Sequence, residues 1–154
     1  MTRFVVDASA VVHIAAHGID VSDEHELLAP TLLRSQAMSQ VYRAVRRGEL
    51  PTPDGLDRLE RIWRIRIRYL GDAVLRRRAW SVAEQLGWED TYAAEFVALT
   101  QLQADALVTM DRTLARSAKS LVETATVDDL RARNAARPSE GSRSPVPRRK
   151  DRKA

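Results

Sequence analysis

The 154-residue sequence contains no cysteine. Disulfides, thiolate zinc sites and cysteine nucleophiles are thereby excluded, and a reducing compartment is compatible with the composition. No apolar run approaches the roughly 20 residues needed to cross a bilayer. The N-terminus passes directly into a strand-like Phe4-Val5-Val6, without the pattern of a signal peptide. The expectation is a cytoplasmic protein without membrane association. The sequence also lacks an internal repeat, a glycine-rich phosphate loop and a G-x-S-x-G elbow, which removes the usual anchors of P-loop and serine-hydrolase chemistry.

What is present suits one helix-rich domain with a sizeable core: 44% of residues are hydrophobic and 30% charged. The net charge of +4 is unevenly divided. Residues 131–154 carry nine basic side chains against Glu140 and Asp151, or +7, which leaves the first 130 residues at −3. Beyond about Asn134 the mixture of Pro, Ser, Gly and Arg cannot build a core. The sequence therefore divides into a folded unit, 1–133, and a basic tail, 134–154, expected to be disordered.

Trp88 to Asp111 organises the folded unit. Tyr92, Phe96 and Leu99, with Val97 and Leu102, fall at helical offsets, and alanines fill the gaps, so this helix is buried on two sides. Ala106-Leu107-Val108-Thr109 follows as a short buried strand, as in a parallel sheet. Helix followed by buried strand implies an α/β fold. Earlier, Phe4-Val5-Val6 hands over to a helix through Asp7, and Leu27-Leu28-Ala29-Pro30 reads as a second strand. Thr31 is expected to cap the next helix, striped by Leu33, Ala37, Val41 and Ala44.

Thr52-Pro53-Asp54 starts a further helix. Arg61 to Tyr69 then alternates basic and apolar residues, part helix and part strand. Asp72 to Leu86 reads as a helix with Val74, Leu75, Ala79 or Trp80, Val82 and Leu86 inward, stopped by Gly87. Leu121 to Ala125 reads as an edge strand, and Thr126 to Asp129 as a helix cap.

Three acids fall at element ends: Asp7 after the first strand, Asp90 before the buried helix and Asp111 after the late strand. Open parallel sheets build their sites at the carboxyl ends of strands. Clustered carboxylates repel unless a cation joins them, so the three predict Mg²⁺ or Mn²⁺ on oxygen ligands, suited to phosphodiester hydrolysis. Thr109 adds a hydroxyl at the same strand end. Capping of the following helix is the structural alternative for both Asp7 and Asp90. His13 and His17 lie one turn apart but have no evident third ligand. Arg61, Arg64, Arg66 and Arg68 could track a phosphate backbone, with Trp63 or Tyr69 as a stacking face; a solvated or partner-facing surface is the alternative.

Val5-Val6-Asp7-Ala8-Ser9-Ala10, Ala29-Pro30 before a helix, the Tyr92 to Thr100 helix and Leu107-Val108-Thr109-Met110-Asp111 together resemble a PIN domain, in the right order across residues 3–130. The likeness is to VapC-type toxins of bacterial toxin–antitoxin pairs. The resemblance implies a three-layer α/β fold with a short parallel sheet, and a Mg²⁺- or Mn²⁺-dependent endoribonuclease. It further implies a homodimer that cuts structured RNA such as tRNA or ribosomal RNA and is neutralised by a VapB-type antitoxin.

The family's first and last acids fall on Asp7 and Asp111, with Thr109 as hydroxyl companion. Its second acid falls on Gln36, which keeps the shape without the charge, and its third on Ala93, which has no ligand atom. Asp90 is the carboxylate placed to compensate. A weakened or inactive PIN domain that binds RNA or an antitoxin without cleaving is the alternative these substitutions imply.

Overall fold

The computed structural model describes residues 1–132, so the basic tail lies outside the described residues. The chain runs β1 (Thr2–Val6), α1 (Ala8–His17), β2 (His25–Pro30), α2 (Leu32–Arg46), α3 (Thr52–Arg64), β3 (Ile67–Leu70), α4 (Ala73–Leu86), α5 (Tyr92–Gln103), β4 (Ala106–Val108), α6 (Arg112–Ala118) and β5 (Thr124–Ala125). A 3₁₀ turn at Val127–Leu130 follows, closed by a Thr126–Asp129 capping box.

The five strands form one sheet in the order β3-β2-β1-β4-β5, and every pairing is parallel. Strands β1, β2 and β3 step outward one way, after which the chain returns to place β4 on the other side of β1. Right-handed crossovers then put α1, α2 and α3 on one face of the sheet and α4, α5 and α6 on the other. The packing agrees, since α1, α2 and α3 contact one another while α5 lies between α4 and strands β1, β2 and β4. The result is a three-layer α/β fold whose strand order reverses between β1 and β4.

Burial explains why the central strands read as unbroken apolar runs. Val5, Val6, Leu107 and Val108 are fully buried because helices cover both sheet faces. Helix α5 is buried from Ala94 and through Phe96 to Thr100, the two-sided burial that its sequence implies. Leu107→Ala should therefore cost about 2–5 kcal/mol, since a fully buried side chain would leave a cavity at the sheet centre. Urea unfolding followed by circular dichroism measures that loss.

Some local expectations are corrected. Thr31 has helical backbone angles and makes no side-chain cap to α2. In α4, Leu75, Ala79, Val82 and Ala83 are buried, whereas Val74 and Trp80 are exposed. Small alanines on the inner stripe let α4 approach α5 closely, and the indole of Trp80 turns outward to donate to Glu84 at 2.9 Å. The edge strand is shorter than its sequence suggests, with only Thr124–Ala125 paired to β4. Arg61 to Tyr69 divides as its mixed periodicity implies: α3 ends at Arg64 and β3 begins at Ile67.

Candidate active site

Strand order makes the site. Where the order of an open parallel sheet reverses, the loops leaving adjacent strands part in opposite directions and leave a crevice at their carboxyl ends. Here that point lies between β1, which delivers Asp7, and β4, which delivers Thr109 and Asp111. The crevice is a cleft of about 440 Å³, walled by α2 from one sheet face and the start of α5 from the other. Asp7, Asp90 and Asp111 all line it, as do Gln36 and Ala93. Arg43 is its sole cation among the described residues.

Asp7 is buried and held by a dense set of donors. Its Oδ1 accepts from the Ser9 hydroxyl at 2.6 Å and the Ala10 amide at 2.9 Å, while the Thr109 hydroxyl donates to Oδ2. Asp7 is thus the N-cap of α1 and a cleft carboxylate at once; Ser9 supports it instead of capping. Ser9 Oγ also accepts from the Met110 amide at 2.9 Å, and Thr109 Oγ1 accepts from the Asp111 amide at 3.0 Å. These bonds tie the loop after β4 to the start of α1. Burial pushes the Asp7 carboxyl above its ordinary range; Ser9, Thr109 and the Ala10 amide oppose the shift, and the neighbouring Asp111 charge adds to it.

Asp111 is exposed and caps α6, with Oδ1 accepting from the Thr113 and Leu114 amides at 2.9 and 3.2 Å. Asp90 lies outside α5, which begins at Tyr92, and its Oδ1 accepts from the Tyr92 amide at 3.2 Å. It reaches the cleft from the loop before the helix. The Asp90 backbone is a bend and not a helical turn. Among the described residues, no three Asp, Glu or His side chains lie close enough to share one ion.

The donor set is all oxygen, which suits a hard cation. Mg²⁺ commonly uses one or two carboxylates and completes its shell with water. Asp7 and Asp111 meet that minimum, with the Gln36 amide in the same cleft. Such a set fits an ion held largely through its waters. His13 and His17 lie with ring centres 4.1 Å apart and their planes tilted, and His17 Nδ1 bonds the His13 carbonyl, a local arrangement away from the cleft.

Thr109→Val tests the loop clamp. It leaves Asp7 Oδ2 without its hydroxyl donor and the Asp111 amide without its acceptor, which should cost about 1–3 kcal/mol at neutral pH. Loss of a hydrogen bond to the charged carboxylate raises the Asp7 pKa further. The deficit should therefore shrink once the carboxyl is protonated in both states. Urea unfolding at neutral and acidic pH measures both effects.

The basic segment divides in two. Arg61 pairs with Asp57 at 3.1 Å and Arg68 with Glu26 at 3.6 Å. Arg64 and Arg66 make no ion pair among the described residues and line a separate groove beside α2 with Arg34. In the sequence Arg34 and Arg43, like Gln36 and Gln40, read simply as polar members of α2; each flank of that helix gains its meaning from an element distant in the chain.

Sheet order, layers and the β1/β4 crevice define a PIN-like fold. No family profile and no curated protein matches the chain. Among solved structures it is similar to PAE2754 from Pyrobaculum aerophilum, with a TM-score of 0.66 and 25% identity over 84% of this chain and 92% of that one. It is also similar to VapBC2 from Rickettsia felis bound to a DNA fragment from their promoter, with a TM-score of 0.56 and 12% identity over 81% of this chain and 98% of that one. Among the described residues no helix is long and apolar enough to cross a membrane.

Proposed function

We propose that this chain is a VapC-type endoribonuclease that hydrolyses RNA phosphodiesters with Mg²⁺ or Mn²⁺ and is neutralised by a VapB-type antitoxin. The observation that supports the reading is that Asp7, Asp90 and Asp111 line one cleft at the strand-order reversal. A divalent cation there would activate water and offset charge on the scissile phosphate. Asp7 and Asp111 are the residues to hold it, with Asp90 reaching in from the α5 loop. Ser9 and Thr109 fix the Asp7 carboxylate, and Arg43 offers the substrate a positive charge on the opposite wall. Homodimerisation and a tRNA or ribosomal RNA target follow from the resemblance. The likeness to VapBC2 supports the antitoxin partner.

Gln36 and Ala93 favour a second reading, an RNA- or antitoxin-binding PIN domain without cleavage, because both line the cleft at positions where the family carries acids. The deciding experiment is cleavage of RNA by purified protein across Mg²⁺ and Mn²⁺ concentrations, with EDTA and Asp7→Asn controls. Metal-dependent cutting lost in Asp7→Asn supports the nuclease. Folded protein that binds RNA but leaves it intact selects the binding domain.

A further inference from the structure

The groove beside α2 has the chemistry of a nucleotide site. It encloses about 490 Å³ between α2, the end of α3 and β3. Three arginines, Arg34, Arg64 and Arg66, and two aromatics, Trp63 and Tyr69, line it, and among the described residues no acid does. Trp63 is 43% exposed although it sits among half-buried apolar neighbours. The Arg34 guanidinium lies over the Tyr69 ring, 4.0 Å from its centre. The ring thus holds Arg34 at the groove wall. Guanidinium planes and indole faces are surfaces on which unstacked bases rest, and free arginines take the phosphates between them.

The position matters as much as the composition. On α2, Leu33, Ala37 and Val41 are buried against the core. Arg34 and Met38 flank that stripe on the groove side; Gln36, Gln40 and Arg43 flank it on the cleft side. Ser35 occupies the solvent ridge between the two flanks and lines both cavities. An α-helix with its side chains is about 10–12 Å across, a span that a single strand crosses in a few nucleotides.

We propose that the groove between Arg34, Trp63, Arg64, Arg66 and Tyr69 is a subsite for a flanking nucleotide of single-stranded RNA, whose strand crosses the Ser35 ridge of α2 into the acidic cleft. The subsite rests on the reading of this chain as an RNA-directed domain, but its occupancy does not require cleavage. Arg61 and Arg68 lie outside it and pair with Asp57 and Glu26. A positive groove beside a carboxylate-lined cleft also gives the strand a direction. Phosphates are drawn to the groove first, and the acids receive the backbone only where a cation or Arg43 offsets its charge.

Fluorescence anisotropy with a labelled oligouridylate in EDTA tests the subsite without cleavage. The full chain is compared with Arg34→Ala/Arg64→Ala/Arg66→Ala, with Trp63→Ala and Trp63→Phe, and with Arg76→Ala/Arg77→Ala/Arg78→Ala, which removes equal charge from α4. Single-strand binding changes with salt by about 0.7 in log–log slope per phosphate neutralised, so the groove variant should lose affinity and about 2 of that slope. Loss of one stacked base should weaken binding by about ten-fold or more in Trp63→Ala, with Trp63→Phe retaining most of it.

Wild-type affinity and slope in the groove variant, with the groove left to a protein segment, overturn the proposal while leaving the nuclease reading intact. Equal losses in the α4 variant overturn it as well. Groove-dependent binding by a chain that cuts nothing supports the subsite and removes the nuclease reading alone. An oligodeoxyuridylate arm shows whether the groove reads RNA or any single strand: equal DNA affinity overturns the assignment to RNA.

Discussion

Asp7→Asn should silence RNA cleavage and, at neutral pH, make the protein more stable. The two effects share one cause. Burial disfavours the Asp7 charge, so the folded state holds the proton more tightly than the unfolded chain does. For an acid whose pKa is raised on folding, stability falls as pH rises, because ionisation in the folded state is the costly event. The penalty is absent where both states are protonated, below the ordinary aspartate range, and complete above the raised folded value. An asparagine keeps an oxygen for the Ser9 hydroxyl and the Ala10 amide, and its NH₂ group can donate to Thr109 Oγ1. The substitution thus removes the charge without emptying the position.

The neutral-pH gain in melting temperature should vanish as pH falls through the carboxyl range. Cleavage should drop by more than the roughly 10- to 100-fold typical of losing a group that merely supports a metal ligand. Thermal unfolding across pH, run beside a metal-dependent cleavage assay, reads both. A variant less stable than wild type at neutral pH would show that the donor cage around Asp7, and not its desolvation, decides the balance. Cleavage unchanged in the variant would remove Asp7 from the reaction.

That Asp7 and Asp111 would face one crevice was legible in the sequence because both follow short buried apolar runs, Phe4-Val5-Val6 and Ala106-Leu107-Val108. Such strands occur in parallel sheets, and parallel sheets place their strand ends together. The buried α5 was legible for a related reason, since a helix apolar on several faces has no solvent side to signal. What was not legible depends on the phase and spacing of packed elements. Trp80 is large and apolar yet points outward, because Ala79 and Ala83 set the close α4–α5 contact. Asp90 lines the cleft, but its reach depends on where α5 starts, two residues later, which the sequence leaves open. The pairing of Arg61 with Asp57 one helical turn away follows from the α3 register, whereas that of Arg68 with Glu26 on the neighbouring strand needed the sheet order, and Arg64 and Arg66 have no ion pair among the described residues.

Gln36→Glu with Ala93→Asp should turn the cleft into a tight divalent-metal site. Both side chains already line the cavity with Asp7, Asp90 and Asp111, so the double variant changes its charge without changing its walls. Without metal, two further carboxylates beside three existing ones repel, and the melting temperature in EDTA should fall below wild type. The Asp at position 93 offsets part of that cost, by about 0.3–1 kcal/mol, because it lies in the first turn of α5, where the helix dipole favours an anion. With metal the order should reverse.

If each added carboxylate tightens binding about ten-fold, corresponding to about 1.4 kcal/mol, the pair gives roughly 100-fold. At a metal concentration 100 times the dissociation constant the folded state gains about 2.7 kcal/mol, whereas at a concentration equal to it the gain is a few tenths. Mn²⁺ titration followed by thermal unfolding therefore separates the two proteins at a concentration where wild type responds weakly. RNA cleavage should rise in parallel if Asp7 and Asp111 already stand in working positions. A double variant that folds and shows no larger Mn²⁺ response than wild type would mean that the cleft cannot gather its carboxylates around one ion. That outcome would favour the reading in which the domain binds its partner without cleaving.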